Sequence, residues 1–183
     1  MITAEQTIQL VEFFEDPADA AALKSRELTL GLLLHTPFPF ARDQFTPGHI
    51  TATGLVIAAD GERLLLVHHN RLNRWLLPGG HVEESDKDLW KAAAREVVEE
   101  TGVALAAGPG PLVGLDVHGI PPNTREPFHQ HHDLLFHFRA EVDDYRVSHE
   151  SRAVAWAHPS AFDFYDLPIN TRLAYDRVRG SKI

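Results

Sequence analysis

The chain has 183 residues and carries 26 acidic against 17 basic side chains, for a formal net charge of −9. Hydrophobic residues make up 44% of the sequence, which is typical of a globular chain and excludes disordered and collagen-like classes. No cysteine is present, so disulfides, Cys-ligated metals and thiol nucleophiles are excluded. The acidic balance also disfavours a nucleic-acid polymer as partner, because clamping its phosphates needs clustered Lys and Arg.

Neither a membrane span nor a secretory signal is expected. The longest apolar run, residues 30–34, is far shorter than the roughly 20 residues that a membrane helix needs. Residues 1–7 lack a basic cluster followed by an apolar run. We therefore expect no membrane partner and a cytoplasmic location.

Residues 1–45 predict two helices. Thr3 with Gln6 forms a capping-box pattern ahead of apolar residues at helical spacing. Asp16-Pro17 then resembles an N-cap followed by proline at the first helical position, which predicts a second helix through residue 34. We interpret this segment as an N-terminal two-helix extension that could cap a pocket or form a homodimer.

Residues 46–183 predict a mixed α/β domain. Residues 49–59 and 63–69 have strand composition and are joined by the turn signal Asp60-Gly61. After a long loop over residues 70–87, Ser85 with Asp88 predicts the start of a helix that spans residues 86–101 and ends at Gly102. Further strands are predicted near residues 112–117, 131–140 and 153–157, and further helices near 159–165 and 170–179.

The central helix presents several carboxylates together. At 100° per residue, Glu96, Glu99 and Glu100 share an arc of about 100°, while the apolar residues from Trp90 to Val98 lie on another face. Like charges at i and i+4 destabilise a helix, and a divalent cation would relieve that cost. Hard oxygen ligands without cysteine favour Mg²⁺ or Mn²⁺. A solvated acidic face is the alternative interpretation.

The sequence around this helix resembles the Nudix box, whose pattern is G-x5-E-x7-R-E-U-x-E-E-x-G-U, with U aliphatic. The first half is Gly80-His81-Val82-Glu83-Glu84-Ser85-Asp86, and the second half is Arg95-Glu96-Val97-Val98-Glu99-Glu100-Thr101-Gly102-Val103. The second half matches at every fixed position. The first half differs twice, because Asp86 replaces the family's Glu and eight residues instead of seven precede Arg95.

The resemblance implies the Nudix fold, a mixed β-sheet sandwiched between helices, over residues 46–183. It also implies a Mg²⁺-dependent pyrophosphohydrolase, with Mn²⁺ as a substitute, that cleaves a diphosphate linkage in a nucleoside diphosphate derivative or nucleoside triphosphate. The alternative is a non-catalytic Nudix-like domain that binds a nucleotide or sugar-nucleotide. The intact set of glutamates favours the enzyme.

The same resemblance implies roles for particular residues. Glu96, Glu99 and Glu100 bind metal, and one of them could instead accept the proton of the attacking water. The Gly79 carbonyl would complete the coordination, and Arg95 would orient a carboxylate. Glu83 would form hydrogen bonds at the edge of the site.

Members of the family often recruit one more acid from a later loop. Glu150 lies six residues before Trp156 and is similar in placement to that acid, so we predict it as an additional metal ligand or base. An exposed loop residue without a role is the alternative.

Twelve histidines are present, and His129, His131, Asp133 and His137 share one face of a predicted strand. They could bind zinc, line the substrate pocket or form a solvated face. Zinc is the least favoured, because its ligands normally come from more than one element. We predict His129 and His131 as substrate contacts.

Trp75 could stack a base, although loop aromatics more often pack the loop.

Overall fold

The structure is a computed structural model that describes residues 2–180. The helices are α1 (Ala4–Glu12), α2 (Ala20–His35), α3 (Leu89–Thr101) and α4 (Ile169–Gly180), with a 3-10 turn at Pro159–Ala161. The strands are β1 (Gly48–Ile57), β2 (Leu64–His69), β3 (Arg74–Leu76), β4 (Gly79–His81), β5 (Leu112–Ile120), β6 (His129–Arg139) and β7 (Ser151–Ala157). In this described part no helix has the length and apolar character needed to cross a bilayer.

A seven-stranded mixed sheet organises the molecule. Its main order is β3-β2-β1-β6-β5, while β4 pairs with β1 and β7 pairs with β2. β1 lies in the middle and is buried at all ten residues, as expected for a strand covered on both faces. It runs parallel to β6, with His49 opposite His131. This pairing brings together two segments that are far apart in the sequence.

Helices cover both faces of the sheet. The apolar residues of α1, α2 and α3 pack with Ile50, Val56 and Phe136 on one face. The 3-10 turn and α4 pack with Leu55 and Leu135 on the other face. The predicted α/β class, with a mixed sheet sandwiched between helices and an N-terminal two-helix region, is confirmed.

The N-terminal helices pack directly on the sheet. The Ser25 hydroxyl in α2 accepts a hydrogen bond from the Val117 N–H of β5, at 3.1 Å. Arg177 of α4 pairs with Asp16 and with Asp19, close to the start of α2. Residues of both helices belong to the same apolar cluster as β1 and β6. The division at residue 45 remains a prediction, and the structure shows that the two parts share one core.

The start of α2 was predicted three residues too early. Asp19 is the N-cap, and its side chain accepts from the Ala22 N–H at 2.9 Å. The Asp16 carboxylate instead accepts from Ala18 N–H and pairs with Arg177, so it is committed to a turn and a distant arginine. The first helix predicted within residues 1–45 is confirmed as α1. Thr3 is its N-cap, and the Thr3 hydroxyl accepts a hydrogen bond from the Gln6 N–H.

Other local boundaries also differ from the predictions. The loop over residues 70–87 contains β3 and β4, which are too short for a periodic pattern to reveal. α3 begins at Leu89 with Asp88 as N-cap and no side-chain cap bond, so the predicted capping box with Ser85 is wrong. The segment 159–165 forms only a 3-10 turn at its start. Gly102 ends α3 in the left-handed conformation, as predicted.

Candidate metal centre and histidine cluster

β4 and α3 bring a glycine pair against two glutamates. A Cβ added at Gly80 would lie 2.7 Å from both Cδ and Oε1 of Glu96, so the Glu96 carboxylate rests directly on the glycine backbone. The Gly79 N–H donates to the Glu100 carboxylate. Because β4 is hydrogen-bonded to β1, this contact surface is part of the sheet. The backbone of Gly79 and Gly80 therefore positions the carboxylates of Glu100 and Glu96.

Arg95 holds the carboxylates of this region in place. Its guanidinium donates to Glu96 at 3.0 Å and to Glu99 at 3.1 Å, and it reaches the His81 carbonyl at 2.9 Å. Glu83 lies farther away, at 3.8 Å. The predicted orienting role of Arg95 is consistent with this geometry, since its guanidinium contacts the carboxylates of both Glu96 and Glu99.

Asp86 is the deepest partner of Arg95. Its two oxygens accept from the guanidinium at 3.2 and 2.9 Å, and its Oδ2 also accepts from the Glu83 N–H. Burial raises the pKa of Asp86, but the hydrogen bonds from Arg95 and Glu83 outweigh burial and lower it. The shorter side chain at this position therefore still reaches Arg95 across the extra residue.

Burial and mutual repulsion raise the pKa of two carboxylates in this group, Glu96 and Glu100. Burial raises the pKa of Glu100 to about 8, with further contributions from Glu96 and Glu150. Burial also raises the pKa of Glu96, which Arg95 opposes and which Glu99 and Glu150 increase. Glu150 therefore belongs to the same electrostatic cluster. Its own side chain is 59% exposed, and that of Glu99 is 57% exposed.

The donor set fits a hard divalent cation. Glu96 and Glu100 lie against the glycine pair, and Arg95 contacts Glu96 and Glu99. The charge of Glu150 raises the pKa of both Glu96 and Glu100. Carboxylate and carbonyl oxygens are the ligands that Mg²⁺ and Mn²⁺ prefer. A bound cation would favour the ionised form of Glu96 and Glu100, which burial disfavours. The proposed ligands Glu96, Glu99, Glu100 and Glu150 are therefore compatible with that ion.

Trp75 and Glu83 occupy different surroundings. Trp75 is half-buried, with its ring 5.0 Å from that of Tyr165 and 5.1 Å from that of His68. Glu83 is exposed and accepts a 3.4 Å hydrogen bond from the Ser85 hydroxyl. Trp75 thus packs the second apolar cluster while keeping a partly open side, and Glu83 lies at the rim of the carboxylate cluster. Their roles toward substrate remain predictions.

A cluster of histidines lies on the face of the sheet opposite to α3. His129 is almost fully buried and His131 half-buried, so this part of β6 is not a solvated face. His49 of β1 and His81 of β4 lie against them, with His49 fully buried. Ring nitrogens of His49, His129 and His131 all lie within 4.8 Å of one another.

Burial disfavours the charged form of the imidazoles of His49, His81 and His131. It lowers the pKa of His131 to about 2 and that of His81 to about 4, with further lowering by the neighbouring histidines. Burial also lowers the pKa of His49. The Nε2 atom of His49 is buried and has no hydrogen-bond partner among the described residues. Such an unpaired atom costs about 1–3 kcal/mol.

Asp133, which shares the strand face, has a different role from its histidine neighbours. Its carboxylate accepts hydrogen bonds from the hydroxyls of Thr51 at 3.0 Å and Thr53 at 2.8 Å. Both threonines lie on β1, so the carboxylate ties β6 to β1. The least favoured of the alternatives drawn from the sequence, a zinc site built from His129, His131 and Asp133 of one strand, is therefore not formed, because Asp133 is bonded to the threonines.

The sequence did not identify three residues that the structure places at these sites. His49 and His81 were not selected because their neighbours come from strands remote in sequence. Asp86 was noted only as a departure from the motif, and its separation of nine residues from Arg95 is not one at which helix side chains meet. Val98, which the sequence assigns to the apolar side of the central helix, is 42% exposed.

Comparison with known proteins adds family information. A profile of the NUDIX domain matches residues 48–177, more than half of the chain. A protein of Lactococcus lactis subsp. cremoris (strain MG1363), named as a probable DHNTP pyrophosphohydrolase, is 33% identical over 95 residues. These residues are 52% of this chain and 55% of the relative, so the chain spans about half the length of the curated relative it matches.

Solved structures share the fold. The MutT protein from Methanosarcina mazei Go1 is similar with a TM-score of 0.52 and 25% identity, over 73% of this chain and 95% of that chain. The NUDIX domain of Shewanella oneidensis NrtR, in a cocrystal structure with ADP ribose, has a TM-score of 0.52 and 18% identity, over 72% of this chain and 86% of that chain. The second similarity is one of fold alone.

Proposed function

The chain belongs to the Nudix hydrolase family, and we propose that it is a Mg²⁺-dependent pyrophosphohydrolase. Its substrate would be a nucleoside diphosphate derivative or a nucleoside triphosphate, cleaved at a diphosphate linkage. The observation that carries this proposal is the contact of Glu96 and Glu100 with the glycine pair. The charges of Glu99 and Glu150, which raise the pKa of Glu96, support it further. The pyrophosphohydrolase name of the Lactococcus relative supports the reaction class.

The buried and exposed carboxylates suit different tasks. Glu96 and Glu100 are shielded from water and fixed by the glycine backbone, so they would hold Mg²⁺, or Mn²⁺ in its place. The Gly79 carbonyl would add an oxygen ligand. When bound, the divalent ion neutralises the diphosphate and polarises its phosphoryl oxygens.

The exposed acids are placed to receive a proton. Glu99 and Glu150 are both more than half exposed, so either carboxylate can contact an entering water and also share the metal. Arg95 holds Glu96 and Glu99 at fixed separations, which keeps the ligand set ready for the substrate. We assign the base to Glu99 or Glu150, and to Arg95 the orientation of the carboxylates.

The substrate would extend from the metal past β4, which pairs only with β1 among the described strands, to reach the histidine face on the other side of the sheet. His81 connects the two, because its carbonyl binds Arg95 and its ring contacts His49 and His131. We propose His129 and His131 as part of the pocket wall. Trp75 would contact the base, and Glu83 the rim of the site.

A substrate panel tests the proposal. Nucleoside triphosphates, sugar nucleotides and dinucleoside polyphosphates would be incubated with Mg²⁺ or Mn²⁺, and phosphate release measured after phosphatase treatment of the products. We expect one class to be hydrolysed, with activity abolished by a chelator. Binding of nucleotides without hydrolysis of any panel member would instead favour the non-catalytic binding domain.

Glu150→Gln and Glu141→Gln form a matched pair for the carboxylate assignment. Both acids are exposed. The charge of Glu150 raises the pKa of Glu100, whereas Glu141 follows the end of β6 and its N–H donates to the Ala104 carbonyl. Loss of a base costs about 10²-fold or more in turnover. Glu150→Gln should show that loss and Glu141→Gln should not. Equal activity of both variants would remove Glu150 from the site.

A further inference from the structure

A second group of possible ligands lies apart from the carboxylates. His49 comes from β1, whereas His129 and His131 come from β6, and the parallel register places His49 beside His131. The Nε2 atoms of His129 and His131 are 3.3 Å apart, and a ring nitrogen of His49 is within 4.8 Å of both. Two strands thus supply three imidazoles to one point.

The hydrogen bonds of two histidines fix which nitrogen faces this point. His49 Nδ1 contacts the Gln44 carbonyl at 3.1 Å, and His129 Nδ1 contacts the Pro127 carbonyl at 2.9 Å. A carbonyl can only accept, so both Nδ1 atoms carry the proton. The Nε2 atoms of His49 and His129 therefore present lone pairs. Ligating histidines in metalloproteins are oriented by the same kind of bond to a backbone carbonyl.

One of these lone pairs has no partner. His49 is fully buried, and its Nε2 accepts no hydrogen bond from any described residue. His129 Nε2 can accept from the neighbouring His131 Nε2–H, but His49 Nε2 has no such donor. A cation with affinity for imidazole would satisfy it.

We propose that His49, His129 and His131 bind a Zn²⁺ ion through their Nε2 atoms. At Zn–N distances of about 2.0–2.1 Å, tetrahedral geometry needs nitrogens about 3.4 Å apart. The His129 and His131 atoms already meet this spacing at 3.3 Å, and the His49 nitrogen, within 4.8 Å of both, needs to approach by at most about 1.4 Å. A fourth position remains for water or a substrate oxygen, as in zinc sites with three protein ligands.

The ion would be distinct from the one at the carboxylates. Mg²⁺ prefers oxygen ligands, whereas neutral imidazole suits Zn²⁺. The two sites are nevertheless adjacent, because His81 contacts the imidazoles through its ring and Arg95 through its carbonyl. This inference does not depend on the proposed hydrolysis, since metal binding is measured without a substrate.

The test measures metal binding by the full chain. After removal of metal with a chelator, Zn²⁺ would be titrated by calorimetry in the presence of excess Mg²⁺, and Co²⁺ would be added to record its visible spectrum. We expect one Zn²⁺ per chain and a Co²⁺ spectrum of tetrahedral intensity. His131→Gln, which alters a half-buried ligand, should weaken binding by about 100-fold or more.

Two control variants separate this site from other zinc-binding groups. His132→Gln changes a histidine that is also fully buried with an unpartnered Nε2, but lies on the opposite face of β6 against Thr29. Glu96→Gln changes the carboxylate cluster. Both should retain the single Zn²⁺. Far-ultraviolet circular dichroism of each metal-free variant checks that it is folded.

Three results would overturn the proposal. The first is absence of stoichiometric Zn²⁺ binding by the folded wild-type chain. The second is unchanged binding in a folded His131→Gln variant. The third is loss of binding in Glu96→Gln with retention in His131→Gln, which would assign the ion to the carboxylates.

Discussion

Replacing Gly80 with alanine should impair metal binding while leaving the fold nearly intact. The new Cβ would lie 2.7 Å from Glu96 Cδ and 2.8 Å from its second oxygen. Ordinary contacts between carbons are about 3.5–4.0 Å, so the carboxylate must move by about 0.8 Å or more. A misplacement of about 1 Å can cost 10²-fold in rate. We therefore expect kcat/KM to fall by about 10- to 100-fold and the Mg²⁺ affinity to decrease.

Gly79→Ala is the matched control for this change. Its added Cβ would lie 2.7 Å from Thr53 Cα and 2.9 Å from the Ala52 carbonyl oxygen, which are backbone atoms of β1. The strands would have to separate, at a cost of about 1–3 kcal/mol. Gly79→Ala should therefore lower the urea midpoint, whereas Gly80→Ala should change it little because a side-chain end can yield.

The assays are Mg²⁺ titration by calorimetry, initial rates of phosphate release and urea unfolding, applied to both variants. Mg²⁺ binding and turnover equal to those of the wild type in Gly80→Ala would contradict the expected displacement of Glu96. A urea midpoint of Gly80→Ala lowered as far as that of Gly79→Ala would also contradict it, because the activity would then be lost through unfolding.

Three further predictions concern the carboxylates. In metal-free protein the free energy of unfolding should fall by up to about 1.4 kcal/mol per pH unit between pH 4.5 and 8, because unfolded Glu100 ionises near its ordinary pKa while folded Glu100 keeps its proton until about pH 8. Urea unfolding of Glu100→Gln should show a smaller fall, and an identical pH profile would contradict this. Asp86→Asn should lower the free energy of unfolding by about 1–3 kcal/mol, because half-buried Arg95 loses its main charged partner while keeping Glu96 and Glu99; an unchanged urea midpoint would contradict it. Glu150→Gln should reduce turnover about 100-fold with an unchanged thermal midpoint.

The central helix and its carboxylates could be predicted because their spacing is local. Glu96, Glu99 and Glu100 lie within two turns, so helix geometry alone places them together, and the left-handed Gly102 marks the helix end. The short strand β4 could not be predicted in the same way. Its three residues are held by pairing with β1, which lies more than 20 residues earlier in the chain.

The histidine cluster could be predicted from the sequence only in part. The spacing of His129 and His131 predicts a shared face, but their partner His49 is reached only through the parallel pairing of β1 with β6. No local periodicity encodes which two strands become neighbours. Likewise, the start of α2 depends on Arg177, at the far end of the chain, which binds Asp16 and removes it from the capping role.

The docking of α1 and α2 bears on how the chain responds to proteolysis. Val11 and Leu32 are buried in the same cluster as Phe136, so cleavage in the segment between α2 and β1 would not by itself release an independent unit. The two pieces would stay associated through this shared apolar surface and through Arg177 with Asp19. Local opening of the N-terminal helices should then require a large part of the global unfolding free energy, so amide hydrogens in α2 should exchange nearly as slowly as those in β1.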